Sequence, residues 1–370
     1  RLESIPEKGA FGMNRSNRSR VRTLVPRPGA AFACDRHGLC CTDIHLIGAM
    51  SRSEAKRIQA IEPGSVCYDP EAEGPAIDCS PYGRCRFLNR SGCRIHATLG
   101  AQAKPSMCRR FPYGLIATPV GGRVTTEHRC PGRTLGEHSG IDLDEAEASL
   151  RVGATGLVAD DRIEEPISLD RKRHVGFRRY AEMESAMLVR LAAGERAESV
   201  LMAEPLPRLN GPTWKGFAGE LVELADRSAW AAAMVWFGDA LLQLGARIRP
   251  PRRERPWAAV FEKAARRRRA PRAPEAIYND WVADELWMLR GLLLAPFDAA
   301  RAELSTRLAA ARIIARRLED QGVRPDQAAA ESVLVAEIAA ISSDWSGLVG
   351  AIAPSSRPSA RDIPVLATRC

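Results

Sequence analysis

Nine of the ten cysteines of this 370-residue chain lie between residues 32 and 130, a segment only slightly longer than a quarter of the sequence. The same segment holds four of the six histidines, at His37, His45, His96 and His128. Thiolate and imidazole donors suit zinc, iron or an iron–sulfur cluster, whereas hard cations such as magnesium prefer carboxylates. The clustering therefore predicts a fold organised around a metal.

The redox compartment determines whether closely spaced thiols are interpreted as metal ligands or as disulfides. Residues 1–27 are basic and contain no apolar core of the length that a secretory signal needs, so we expect a cytoplasmic protein. Metal binding then explains the cysteines better than disulfides do, although adjacent Cys40 and Cys41 would also suit a disulfide framework. The chain begins with Arg1, which favours a fragment or an extended reading frame with Met13 as a candidate start.

The length and net charge of the chain limit its number of domains and its classes of partner. The chain is long enough for two domains and 45% hydrophobic, an ordinary globular value. Its longest apolar run, residues 229–238, is shorter than the roughly 20 residues of a membrane-spanning helix, so we expect no membrane span. The net charge of +9 favours acidic partners without identifying any, because a solvated arginine-rich surface gives the same value.

The first group of donors is Cys34, His37, Cys40 and Cys41, separated by two-residue gaps. A tight turn can bring such donors onto one ion, and Gly38 permits a positive φ between them. His37 is interpreted as a ligand, and an ordinary exposed loop histidine is the alternative.

The next segment is less regular. Residues 42–47 alternate between polar and apolar and predict a short strand, and residues 51–61 predict a capped helix. Cys67 and Cys79 follow in a loop rich in proline, glycine and acidic residues. Ligand and free thiol remain equal alternatives for these two, because free cysteine is also a common small buried residue.

Three further cysteines, Cys85, Cys93 and Cys108, are surrounded by apolar side chains that we expect to form a shell around the metal: Phe87, Leu88, Ile95, Phe111 and Pro112. Arg109 and Arg110 are interpreted either as cations beside thiolates or as surface residues. Gly121 and Gly122 predict the turn of a hairpin between residues 115–120 and 123–126. That hairpin would deliver His128 and Cys130 to the same site.

These motifs resemble the YkgJ-type cysteine-cluster family of zinc- or iron-chelating domains. The shared pattern runs from Phe-x-Cys before Cys40 and Cys41, through Cys-x-Phe-Leu, Gly-Cys-x-Ile-His and Lys-Pro-x-x-Cys-Arg-x-Phe-Pro, to a late Cys-Pro-Gly, and covers residues 32–132. The resemblance implies a metal set of Cys34, Cys40, Cys41, Cys85, Cys93, Cys108 and Cys130. His37 stands where the family usually has a further cysteine; we include it as a ligand, and an iron–sulfur cluster with such a ligand would have a raised potential.

The cluster also resembles the N-terminal part of flagellin lysine-N-methylases. This second resemblance implies a protein-lysine methyltransferase that uses S-adenosylmethionine and acts on a protein substrate such as flagellin. The residues themselves supply no Gly-x-Gly loop after a strand and no outstanding set of catalytic side chains. Catalytic residues are therefore unassigned.

After residue 132 the pattern becomes helical. The periodicity predicts helices over residues 169–193, 214–244, 276–294, 298–320 and 325–348, separated by proline-rich breaks. All seven tryptophans follow residue 210, and we interpret Trp214, Trp230, Trp236, Trp281 and Trp287 as core residues. The basic stretch 252–272 is read as a solvated connector or as a contact for an acidic protein or nucleic acid.

The predicted fold class is mainly α, with a small irregular α+β cysteine-rich metal-binding domain followed by an α-helical bundle domain. The predicted division is a flexible basic arm over residues 1–30, the metal domain over 31–135, the helical domain over 140–352 and a flexible C-terminal tail over 353–370. Zinc or an iron–sulfur cluster, in a structural or redox role, is the predicted cofactor.

Overall fold

A computed structural model describes residues 21, 23–45, 49–69, 74–79, 83–90, 92–151, 156–246 and 250–353. The first twenty residues of the predicted arm, residues 46–47 of the predicted short strand, Cys370 and the predicted tail from residue 354 lie outside this range. Fifteen α-helices and ten short strands make up the described part. The mainly helical class is therefore confirmed.

The cysteine-rich part combines short helices with small sheets. Its helices are α1 (Arg52–Ile61), α2 (Arg94–Leu99), α3 (Ser106–Arg110), α4 (Pro131–Leu135) and α5 (Leu143–Leu150), with 3-10 turns at Leu39–Cys41 and Ala101–Ala103. Its strands are β1 (Leu24–Pro26), β2 (Val66–Asp69), β3 (Gly74–Ile77), β4 (Leu88–Asn89), β5 (Gly92–Cys93), β6 (Tyr113–Thr118) and β7 (Gly121–Thr126). Helix α1 begins with the predicted cap, a capping box between Ser51 and Glu54.

The largest sheet has the strand order β1-β7-β6-β8, where β8 is Asp161–Arg162. Strands β6 and β7 form the predicted hairpin, but Pro119 and Val120 make its turn, and the two glycines begin β7. Glycine is needed in the strand at position 122, because a Cβ there would lie only 2.2 Å from Val21 Cγ1. Because β1 pairs in parallel with β7, the end of the predicted flexible arm is a strand of the sheet.

The remaining strands, β9 (Ile167–Ser168) and β10 (His174–Val175), precede the helical part. Its helices are α6 (Phe177–Ala192), α7 (Ala197–Leu201), α8 (Trp214–Val222), α9 (Ala229–Ala246), α10 (Ala258–Arg267), α11 (Pro274–Met288), α12 (Arg290–Leu294), α13 (Phe297–Glu319), α14 (Pro325–Ala340) and α15 (Ser343–Gly350). Three predicted helices are each divided in two. Between α11 and α12, for example, Leu289 takes a left-handed conformation with φ 58°.

The main hydrophobic core lies among these helices. Trp236, Trp257, Trp281 and Trp345 are all nearly inaccessible to solvent. Leu39, Ile44, Ile116 and Leu135 belong to the same core, so residues from both sides of the predicted domain boundary pack together. A separate small core, formed by Met50, Ile58, Ile77, Cys85, Phe87 and Ile95, supports the cysteine-rich part.

The basic stretch 252–272 contains helix α10 and contacts the cysteine-rich part. Arg268 donates hydrogen bonds to the carbonyl oxygens of Leu135 and Gly136 at 2.7 and 2.9 Å, and Arg272 donates to that of Thr134 at 2.8 Å. These carbonyls lie at the C-terminal end of α4, where cations are favoured. Part of this stretch is therefore bound within the molecule.

Among the described residues, no single helix is both long enough and apolar enough to cross a bilayer.

Candidate metal centre

The first cysteine group is shaped by a left-handed glycine. Gly38 has φ 78°, as predicted, and precedes the 3-10 turn that carries Cys40 and Cys41. A Cβ on Gly38 would meet Leu88 Cδ1 at 2.7 Å, so the turn also requires glycine for close packing. This packing holds Cys40 and Cys41 against the β4–β5 hairpin.

Short backbone pairings bring distant cysteines together. The amide of Cys85 donates to the carbonyl oxygen of Cys41 at 2.9 Å, and Cys93 pairs with Leu88 in the β4–β5 hairpin. An isolated antiparallel bridge joins Cys79 to Cys85. These pairings bring together four cysteines that are spread over about fifty residues of sequence: Cys41, Cys79, Cys85 and Cys93.

The thiol of Cys41 lies at the centre of this group. It interacts with the thiols of Cys40, Cys85 and Cys93, and these neighbours raise its own pKa. The neighbouring Cys41 thiol, followed by the Lys104 ammonium, lowers the pKa of Cys40 to about 7 against the opposing effect of burial. The same thiol is the main cause that lowers the pKa of Cys93 to about 5. Cys40 and Cys93 are therefore biased toward thiolate, the form that binds metals, whereas Cys41 is biased toward the protonated thiol.

Cys108 and Cys130 complete the group from the other side. Cys108 interacts electrostatically with Cys40, Cys85 and Cys93, and burial raises its pKa to about 12. Cys130 interacts with Cys34 and Cys40, and burial raises its pKa also. Cys40 thus links the two halves of the cysteine set.

All of these cysteines line one cavity of about 2080 Å³. Every residue of the predicted metal set lines it, namely Cys34, His37, Cys40, Cys41, Cys85, Cys93, Cys108 and Cys130. Cys79 lines it as well, whereas Cys67 is exposed on β2 and is not among the lining residues. The helical part contributes Trp230, Met288, Arg290 and Ile341 to the wall.

The apolar residues predicted to surround the thiols and the arginines predicted beside them have different environments in the structure. Phe87 and Ile95 are buried beside Cys85 as predicted, and the Phe111 ring lies 4.6 Å from that of His45. Arg110, however, donates to Asp160 at 2.6 Å, and Arg109 donates to backbone carbonyls of Ser149 and Arg151. The cation that acts on several thiols is Lys104.

The described sulfurs are not arranged as they would be around a single zinc ion. A single tetrahedral zinc ion with Zn–S bonds of about 2.3 Å holds its sulfur ligands about 3.8 Å apart. Among the described residues, no three cysteine sulfurs lie within 4.8 Å of one another. The cysteines converge on one cavity without forming a closed mononuclear tetrahedron.

The histidines divide between two environments. His37 and His45 line the cavity, and each has a buried ring nitrogen without a hydrogen-bond partner, Nδ1 of His37 and Nε2 of His45. Burial and then the Arg129 guanidinium hold the pKa of His45 well below its usual value, so the ring is neutral. His128, expected beside Cys130, instead lies 2.8 Å from Asp284 through Nε2.

His128 belongs to a second cluster that sequence reasoning missed. Ligand atoms of His128, Asp280 and Asp284 all lie within 4.8 Å of one another, the only such set of three or more in the described part of the chain. Arg133 donates to Asp280 at 2.6 and 2.9 Å and also to Asp284. Arg27 donates to Asp284 at 2.5 Å, and Arg272 donates to Asp280 at 2.7 Å.

Three guanidinium groups therefore surround these two carboxylates. We call Arg27, Arg133, Arg272, Asp280, Asp284 and His128 the arginine–aspartate node. The lone pairs that a cation would need are already used by arginine donors, and a cation added here would face three fixed positive charges. The node is consequently a structural ion-pair network.

Comparison with known proteins adds no assignment: no family model, curated protein or solved structure matches this chain.

Proposed function

We propose that this protein holds a zinc or iron–sulfur centre in its cavity, in a structural or redox role. The proposed ligands are Cys34, His37, Cys40, Cys41, Cys85, Cys93, Cys108 and Cys130. One observation carries the proposal: seven cysteines spread over a hundred residues of sequence line the same cavity together with His37. None of the nine described cysteines forms a disulfide.

The donor chemistry of these residues fits such a centre. Thiolate sulfur and neutral imidazole bind zinc and iron, and the pKa values of Cys40 and Cys93 are lowered to about 7 and 5. The buried Nδ1 atom of His37 has no other partner. A bound centre would supply either cross-linking of the loops that carry the cysteines or one-electron transfer.

The iron–sulfur alternative does not require closely grouped cysteine sulfurs. A cluster has iron and sulfide atoms of its own between the protein sulfurs, so its ligands lie further apart than those of one zinc ion. The small apolar core beside Cys85 would limit solvent access, which tunes the potential of a redox centre.

Anaerobic purification followed by metal and sulfide analysis and an absorption spectrum tests the proposal. We expect a brown protein with iron and sulfide, or a colourless protein with zinc. Cys41→Ser and Cys93→Ser should lose the metal, while Cys67→Ser, which alters an exposed thiol away from the cavity, should retain it. Equal metal content in all three variants would refute the proposed ligands.

The resemblance of the cysteine cluster to flagellin lysine-N-methylases supports a second candidate, a protein-lysine N-methyltransferase like the flagellin-modifying proteins. A cavity of about 2080 Å³ leaves room for a small molecule beside a metal centre. S-adenosylmethionine is the cofactor that this candidate requires. Calorimetric titration of the metal-loaded protein with S-adenosylmethionine tests it, and an absence of binding would remove this candidate while leaving the metal proposal standing.

A further inference from the structure

Cys79 and Cys85 face each other across an isolated antiparallel bridge. Directly opposed residues in such a pair have Cα atoms about 4.5 to 5.5 Å apart. Disulfides join cysteines whose Cα atoms are about 4.4 to 6.8 Å apart. The backbone therefore already holds this pair at a separation that a disulfide can bridge.

Other cysteines in the described strands lack such a partner. Cys67 is opposite Ala76, and Cys93 is opposite Leu88. In the part of the chain that the structure describes, Cys79 and Cys85 are the one cysteine pair joined by a β-bridge. Both are free thiols and both line the cavity.

The two thiols differ in access. Cys79 is exposed, and its thiol points to the carbonyl oxygen of Ile77 at 3.7 Å. Cys85 is buried in the small apolar core. Cys79 can therefore meet an oxidant from solvent, and rotation about its χ1 bond redirects its sulfur toward Cys85.

We propose that Cys79 and Cys85 form a reversible disulfide, a redox modification site that removes Cys85 from the metal set. The oxidant is a low-molecular-weight disulfide. Burial raises the pKa of the Cys79 thiol to about 11, so its small thiolate fraction attacks one sulfur of the oxidant; the S–S bond of the oxidant breaks, and one thiol is released. Cys85 then attacks the Cys79 sulfur, which forms the protein disulfide and releases the second thiol. The two cysteines lose two electrons, the small disulfide gains them, and the cysteine protons end on the two released thiols.

The proposed disulfide depends only on the β-bridge between Cys79 and Cys85, whereas its consequence for the metal rests on the proposed function. A metal centre that loses one thiolate is bound more weakly. Oxidation of this pair therefore couples the thiol–disulfide balance outside the protein to metal occupancy inside it.

The test treats metal-free full-length protein with oxidised glutathione and maps the disulfides by mass spectrometry without reduction. We expect a peptide pair joined through Cys79 and Cys85 as the main product, reversed by dithiothreitol. The Cys79→Ser variant should lack this product, and the Cys67→Ser control should form it. Other pairings as the main product, or glutathione retained on Cys79 alone, would overturn the inference.

A second measurement follows metal content during the same oxidation of loaded protein. Metal release should be slower in Cys79→Ser than in the wild type or in Cys67→Ser. Loss of metal from Cys79→Ser before any oxidant is added would make Cys79 a ligand and overturn the inference. If no variant or wild-type protein ever holds metal, the proposed function fails, and the disulfide map still decides the bond.

Discussion

The cysteine set and the arginine–aspartate node are two polar clusters with different partners: the carboxylates of the node pair with arginines, whereas the thiols interact with other thiols. The node has the shorter distances between ligand-type atoms, yet its carboxylates already accept hydrogen bonds from Arg27, Arg133 and Arg272. No three described cysteine sulfurs lie that close together, and the Cys41 thiol interacts mainly with other cysteines. The comparison teaches that close spacing alone does not identify a metal site, because carboxylates that already accept from arginines offer a cation few free lone pairs.

The two clusters also act on different parts of the fold. The cysteines join short loops around a small apolar core. The node joins the start of the chain and the segment after β7 to helix α11, across more than 250 residues of sequence for Arg27 and Asp284. The first cluster is predicted to depend on a metal, and the second needs none.

Removing the proposed metal should have the largest effect and should separate the two clusters. Metal binding contributes on the order of 10 kcal/mol to the folding of small metal domains. Chelation or Cys108→Ala should therefore greatly increase hydrogen exchange in residues 49–110, while helices α11, α13 and α14 stay protected. Hydrogen-exchange mass spectrometry measures this difference. Equal loosening of both parts would show that they fold as one unit.

Breaking the node should have the next largest effect. Asp284 is 2% exposed, and Asp284→Asn would leave Arg27 and Arg133 buried with too little negative charge. Loss of one partner from a buried ion pair costs about 3–5 kcal/mol. Urea unfolding should detect this loss, with exposed Asp344→Asn as the control. The folded variant should keep its metal, and loss of metal would make the node part of the metal site.

A buried acid between the two clusters should make stability depend on pH. Burial, and then the Glu285 and Glu127 carboxylates, raise the pKa of Glu337 to about 8, against the favourable effect of Arg129. The pKa of Glu337 is near 4.5 in the unfolded state and about 8 in the folded state. Between these pH values the folded state binds more protons than the unfolded state, so the free energy of unfolding falls as the pH rises.

The slope from this one group is at most about 1.4 kcal/mol per pH unit. Glu337→Gln, which keeps the shape and removes the charge, should flatten the decline between pH 5 and 8 in thermal unfolding curves. Exposed Glu223→Gln is the control. An unchanged slope in Glu337→Gln would mean that another group controls the pH dependence.

Removing the cap of α1 should have the smallest effect. The Ser51 hydroxyl accepts the amide of Glu54 at 3.2 Å, and Glu54 in turn accepts the amide of Ser106 beside Cys108 at 2.7 Å. Ser51→Ala should cost about 1 kcal/mol. Hydrogen exchange should increase in α1 and α3 and remain unchanged in α13. A change that extends to α13 would contradict the separation of the two regions.

Local patterns predicted local structure well. The capping box at Ser51, the positive φ of Gly38 and the hairpin between β6 and β7 all depend on residues a few positions apart. The predicted position of the hairpin turn is wrong because Gly122 serves a close contact with Val21, a residue a hundred positions away. Helix ends were missed at breaks such as Leu289, where a non-glycine residue takes a left-handed conformation.

By itself, the sequence determined that donors suited to a soft or borderline metal are concentrated in one segment and that the rest is mainly helical. Residue type and short-range periodicity are enough for both. Only the tertiary structure decided that Cys79 faces Cys85, that His128 pairs with Asp284, and that Arg27 is buried. These outcomes depend on which distant segments share space and on the cost of burying a charge without a partner, and neither can be read from neighbours along the chain.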